Sequence, residues 1–294
     1  MLRKYTIILI FLLAPGLIYA SENVGQTTLP LKFNTGNPVP YGLSSTVISI
    51  QGKQLPIIFD TGAWKYNITL SPSALKGLHV HFTGKSICST ALNGKQCEKE
   101  FIIPKLKIGN FVLKDISGTV MPKLWGGHQK NFIETAASEN GVIGYQLLSR
   151  FNVLLDYKHS QAILTSKNSD PIKFKTDQWV CVSFYKKLLT HIIINGKPMT
   201  MGWDTGSVPS VIKQSSVKAF KRTTCQSHAK FKVKNCLKTN SIVTKSGYHL
   251  PSTWFSVQNI PVYAPFDGLF GSNFYRNNLV YFNFRNHKIY IKPN

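Results

Sequence analysis

The sequence predicts an all-β protein of two related lobes. Three observations carry that expectation: a composition suited to large apolar cores, strand-length apolar runs broken by turn residues, and a strand-turn-strand pattern written twice in the same order. Of 294 residues, 43% are hydrophobic and 12% aromatic, whereas 16% are charged. Disordered chains and coiled coils carry more charge and fewer aromatics, so both classes are excluded, and the apolar material suffices for two cores of ordinary size.

The strand signals are local. Ser45–Ile50, Leu55–Phe59, Val153–Tyr157 and Leu279–Phe284 are β-branched or aromatic runs separated by Gly, Asn and Lys turns. Helix signals are short: Ser71-Pro72-Ser73-Ala74-Leu75 offers a capping serine before a first-turn proline, and Gln214–Phe220 holds the matching place later in the chain.

The repeat is the most informative feature. Ile48 to Ala63 (ISIQGKQLPIIFDTGA) aligns without gaps with Ile192 to Ser207 (IIINGKPMTMGWDTGS) at an offset of 144, seven of sixteen positions being identical. Asn140 to Leu164 lies over Asp267 to Ile291 at an offset of 127, so the second half is 17 residues shorter in its middle. Each half reads strand, Gly-Lys turn, strand, Asp-Thr-Gly, variable middle, Gly-apolar-apolar-Gly, then two strands. The polar, proline-bearing stretch Ser166–Pro171 divides the halves, giving an N-terminal lobe over 21–168 and a C-terminal lobe over 169–294.

Acids are scarce, 12 in the whole chain, yet Asp60 and Asp204 each directly follow an apolar strand ending in Phe59 or Trp203. A carboxylate at the buried end of a strand is costly to ionise unless it is hydrogen-bonded or shares a proton. The following Thr-Gly supplies a tight turn that swings backbone N–H groups toward the carboxylate. Two such loops facing each other across a pseudo-twofold axis would meet.

A hydrophobic residue followed by Asp-Thr-Gly-Ala/Ser, once per half and each time followed by Gly-apolar-apolar-Gly, resembles the aspartic proteases of the pepsin and retropepsin type. The resemblance spans nearly the whole chain beyond residue 20. It implies a two-lobed pepsin-like fold and hydrolysis of peptide bonds in an extended polypeptide by a water held between two aspartates. Carried over, Asp60 and Asp204 are the catalytic pair, Thr61 and Thr205 interlock the loops, and Gly62 and Gly206 adjoin the pair. Like charges so close cannot both ionise, so one aspartate serves as general base while the other stays protonated. Ala63 and Ser207 differ: a Ser207 hydroxyl bonded to its carboxylate would favour ionised Asp204 and leave the shared proton on Asp60.

Such an enzyme needs a hairpin over the site. The candidate is Cys88 to Cys97, with Asn93-Gly94 at its tip. The pepsin pattern places a tyrosine on this flap, whereas here Tyr66 is the only tyrosine between Asp60 and Asn140 and sits close to the aspartate loop. Five cysteines fit two local disulfides, Cys88 with Cys97 and Cys225 with Cys236, leaving Cys181 as a thiol in an apolar run that reads as buried.

Residues 1–20 have the layout of a secretory signal, with Arg3-Lys4 before an apolar run ending at Ala20; an uncleaved anchor is the alternative. About forty residues lie between that point and Asp60, mostly taken up by strands, so no long removable pro-segment is expected. A secreted or periplasmic location is expected, with no later membrane span, no cofactor, no specific nucleic-acid partner and a monomeric state. Without the leader, 33 Lys and Arg oppose 12 acids, a net charge of +21, which suits an anionic surface or polymer or adapts the protein to its medium. Lys230, Lys232 and Lys234 form a basic strand face, read either as a polyanion site or as a solvated face. His79 and His81 share a face but lack a nearby third ligand, so no metal site is assigned. Asn67-Ile68-Thr69 matches a glycan acceptor, and Trp125-Gly126-Gly127 offers an aromatic to a pocket or to the core. The leading function is an exported aspartic endopeptidase. A catalytically inactive binder of peptide, glycan or polyanion, and a basic structural protein, are the rivals.

Overall fold

The computed structural model describes residues 25–33, 42–91, 94–121, 140–171, 174–228 and 231–294. The expected leader over 1–20, Asn93, Trp125-Gly126-Gly127 and Lys230 lie outside them. Among the described residues the strands form two eight-stranded sheets, one from each half of the chain, and a six-stranded sheet shared by both. The pepsin-like, two-lobed all-β architecture expected from the sequence is the one observed.

The repeated hairpins come first. Ser44–Ile50 pairs with Lys53–Phe59 through a turn at Gln51 and Gly52, and Leu189–Ile194 pairs with Lys197–Trp203 through Asn195 and Gly196. All four turn residues have positive φ (52°, 88°, 48° and 81°), as the tight two-residue turn matching the twist of paired strands requires. The second strand of each hairpin then runs parallel to the Gly-apolar-apolar-Gly strand: Ile58 faces Val142 and Phe59 faces Ile143, as Met201 faces Gly268 and Trp203 faces Phe270. Ile68–Leu70 and Val211–Lys213 return antiparallel along the other edge of that same strand. Each Asp-Thr-Gly loop therefore straddles one central strand, which anchors it: Ile143 O accepts from Asp60 N–H and Phe270 O from Asp204 N–H, both at 3.0 Å.

The six-stranded sheet joins the lobes by pairing Phe151–Asp156 with Asn278–Asn283, Leu154 opposite Tyr281, Val153 opposite Phe282 and Leu155 opposite Val280. Under the repeat offset of 127, residue 154 corresponds to 281, 153 to 280 and 155 to 282. The pairing is self-corresponding, and the pseudo-twofold axis runs through Leu154 and Tyr281. Asp156 and its counterpart Asn283 under that offset differ in type but act alike: Asp156 accepts from His159 N–H at 3.1 Å and Asn283 from Asn286 N–H at 3.0 Å, so each closes the turn of its own hairpin. The short helix Pro72–Leu75 starts as its sequence indicates, with the Ser71 hydroxyl accepting from Ala74 N–H at 3.1 Å and proline in the first turn. Gln214–Val217 forms a single 3-10 turn.

Both expected disulfides are present, Cys88 with Cys97 and Cys225 with Cys236. Cys181 is free and half-buried rather than enclosed, because the strand Val180–Ser183 lies at the edge of the shared sheet. Asn67 is buried and donates to Ser117 Oγ at 2.8 Å, which closes the glycan-acceptor reading of that tripeptide. No helix among the described residues is long and apolar enough to cross a membrane.

The C-terminal core is built on stacked rings. Phe270 is fully buried, with ring centroids 4.4 Å from Trp203, 4.6 Å from Phe274 and 5.5 Å from Phe255. Emptying that position should be costly: Phe270→Ala is expected to lose about 3–5 kcal/mol of unfolding free energy in urea titration, and a loss under about 1 kcal/mol would contradict this packing.

Candidate active site

The two Asp-Thr-Gly loops meet at the junction of the lobes. Strand geometry ends at Phe59 and Trp203, and the glycine two residues past each aspartate folds its N–H back onto the carboxylate: Gly62 to Asp60 Oδ1 and Gly206 to Asp204 Oδ1, each at 2.7 Å. Further backbone N–H groups reach the pair, from Ala63 and Gly206 to Asp60 and from Ser207 to Asp204. The carboxyl groups are hydrogen-bonded to each other. Each glycine also makes room for the opposite aspartate. A Cβ on Gly206 would stand 2.6 Å from the Asp60 carboxyl carbon, and one on Gly62 would overlap the Asp204 carboxyl.

The threonines between them lock the lobes reciprocally. Thr61 N–H donates to Thr205 Oγ1 at 2.9 Å, and Thr205 N–H donates to Thr61 Oγ1 at 3.0 Å. Each hydroxyl then donates across the junction, Thr61 to Trp203 O at 2.9 Å and Thr205 to Phe59 O at 2.7 Å. Both threonines are fully buried, so all four bonds are shielded from water.

Asp60 is 4% exposed and Asp204 is half-buried. Burial raises both above the ordinary carboxylate range, and the charge of Asp60 lifts Asp204 further. Two carboxyls in contact titrate as one unit, so the raised values belong to the pair. The expected serine asymmetry is not present: Ser207 Oγ donates to Pro209 O at 2.8 Å, away from the carboxylate. A hydroxyl has one proton to donate, and with it given to Pro209 O, Ser207 does not leave the shared proton on Asp60.

The flap candidate is a long hairpin, His81–Ala91 with Gly94–Ile108, in which Cys88 faces Cys97 and Ala91 faces Gly94. Its outer half, near the disulfide, adjoins the aspartate loop. Ile87 packs against Ile58, Ala63, Tyr66 and Val142, and Lys65 Nζ donates to Cys88 O at 2.8 Å. Tyr66, set aside in the sequence as too close to the aspartates, bonds Glu98 on the second strand of the hairpin. Glu98 is 5% exposed and also accepts from Thr119 Oγ1 at 2.8 Å, and burial pushes its carboxyl above the ordinary carboxylate range. Nothing in the sequence marked this carboxyl, since Glu98-Lys99-Glu100 reads as a solvated run. A groove of ≈600 Å³ runs along the hairpin past Pro72, Phe82, Lys85, Lys99 and Glu100, touching neither aspartate.

Sequence reasoning also missed Trp64. It follows Ala63, and its ring meets Phe266 of the other lobe edge-on at 5.7 Å, with Lys187 Nζ 5.4 Å from the ring centroid. The signal available was a lone aromatic directly after an Asp-Thr-Gly-Ala turn, where a core has no use for it. His79 and His81 find no cluster of three metal-capable side chains among the described residues.

Residues 46–147, which hold the first aspartate loop, the hairpin and Gly141–Gly144, match the family model described as aspartyl protease. No curated protein matches the chain. Among solved structures, that of basic 7S globulin from soybean aligns with a TM-score of 0.60 over 92% of this chain and 95% of that chain, at 11% identity, a likeness of fold.

Because burial and mutual contact raise both aspartates, the folded state binds protons that the unfolded chain releases above pH ~4. Their contribution to stability is complete below that pH and is lost as pH rises through the raised values. Asp204→Asn should therefore melt close to wild type near pH 3 and higher than wild type at pH 7. A mutant no more stable than wild type at pH 7 would refute the raised values.

Proposed function

We propose that this chain, a pepsin-type aspartic-protease-like protein, is an endopeptidase that cleaves extended polypeptides with a water activated between Asp60 and Asp204. One observation carries the reading: two carboxyls from different lobes, hydrogen-bonded to each other, each seated against the other loop's glycine. A protein that only bound ligands would gain nothing from juxtaposing two buried acids, which costs desolvation and repulsion.

The chemistry follows from that contact. With one proton between them, the ionised carboxylate accepts a proton from water as its oxygen attacks the scissile carbonyl, while the protonated partner donates to the developing oxyanion. Collapse of the tetrahedral intermediate passes a proton to the leaving amine. The backbone N–H groups hold both carboxyls in place, so little reorganisation accompanies the step. The hairpin carrying Cys88 and Cys97 is the element suited to cover an extended substrate, anchored by Lys65 and by Tyr66 with Glu98. The two disulfides fit an oxidising, extracellular setting, in keeping with export.

A second reading, an inactive binder on the same fold, is favoured by the likeness to a chain titled a globulin rather than a protease. Digestion of an unfolded protein across pH decides between them. The expected result is a bell-shaped rate profile, suppressed by a transition-state inhibitor of aspartic proteases, with a loss of at least about 10³-fold in both Asp60→Asn and Asp204→Asn. Equal cleavage by all three proteins would assign the activity to a contaminant and leave the binder.

A further inference from the structure

We propose that Lys187 and Trp64 form a subsite selecting an acidic residue of the bound polypeptide, a few residues to one side of the scissile bond. The inference rests on the proposed cleft and deepens it by naming the chemistry it prefers.

Position is the first argument. Trp64 lies two residues beyond Gly62, whose backbone faces the Asp204 carboxyl. Its indole also stands beside Gly202, where a Cβ would be 3.7 Å from the ring. Gly202 precedes Asp204 by two strand residues, about 7 Å, so the ring and the ammonium above it fall roughly two to three residues along an extended peptide.

Charge is the second. Lys187 is exposed and has no ion-pair partner among the described residues. Its ammonium stands over the indole face, 5.4 Å from the centroid. The exposed ammonium is therefore open to pair with a carboxylate of the bound polypeptide. Arginine or lysine in a substrate would instead meet a like charge.

Rigidity is the third. Lys187 and Leu188 both adopt left-handed backbone, φ 64° and 56°, which non-glycine residues rarely do. Leu188 is fully buried, and the Lys187 backbone is bonded to the Tyr145 hydroxyl of the other lobe. A solvated lysine has no need of such a seat. The surplus of cations over the whole chain draws acidic chains toward it in the same sense.

The test uses peptides carrying Asp, Ala or Lys at each of three positions on either side of one cleaved bond. Cleavage by wild type is read as kcat/KM, and affinity is read as Kd with the Asp204→Asn protein. At one position Asp should exceed Lys by about tenfold or more in both readouts. Lys187→Glu should invert that ratio at that position alone, and Trp64→Phe should reduce it. Thermal melting confirms that each variant is folded, and if one is not, Lys187→Gln, expected to erase the ratio, replaces it. Cleavage with a ratio indifferent to Lys187 overturns the subsite and leaves the protease reading standing. Charge-selective binding without cleavage by wild type keeps the subsite and overturns the protease reading. Neither cleavage nor selectivity overturns both.

Discussion

The structure depends on one reciprocal contact, the four hydrogen bonds by which Thr61 and Thr205 hold each other's loop. A carboxyl buried at the end of a strand repels a second one brought beside it, so the lobes would separate or shift unless something stronger fixed their distance. Each threonine donates from its backbone and both accepts and donates through its hydroxyl, so the N–H and hydroxyl of both are fully paired. The bonds terminate on the carbonyls of Phe59 and Trp203, the residues just before the aspartates. The spacing of the acids is therefore set by backbone, which has far less freedom than side chains.

The shared sheet supports that lock from a distance. Its central pair, Leu154 with Tyr281, lies on the same pseudo-twofold relation as the threonines, so two separate contacts impose one symmetry. What breaks the symmetry lies at the surface. The N-terminal lobe carries the long disulfide-bonded hairpin beside its aspartate loop, and the C-terminal lobe places Lys187 against Trp64. The paired aspartates and their threonines are thus symmetric, while the elements around them are not.

Much of this was legible in the sequence because symmetry repeats information. Two matching copies of strand, turn, strand and Asp-Thr-Gly separate signal from accident, and the paired glycine strands mark where each loop is anchored. The Ser71 cap, both disulfides and the two left-handed turns are local features, encoded within a few residues of where they act. The Ser207 hydroxyl was misread because its choice between a carboxylate and the Pro209 carbonyl depends on an angle no spacing reveals. Glu98 and Tyr66 were passed over for a similar reason: they lie 32 residues apart and meet only through the fold.

The amino-acid order by itself determined the lobes, their strands and the identity of the two acids, since periodicity, turn chemistry and duplication are properties of neighbours along the chain. Only the tertiary structure decided how the acids share their surroundings, that Tyr66 reaches the hairpin, and that a lysine of one lobe stands on a tryptophan of the other. Those facts depend on the packing of segments distant in sequence, where small differences in distance and angle choose which donor finds which acceptor.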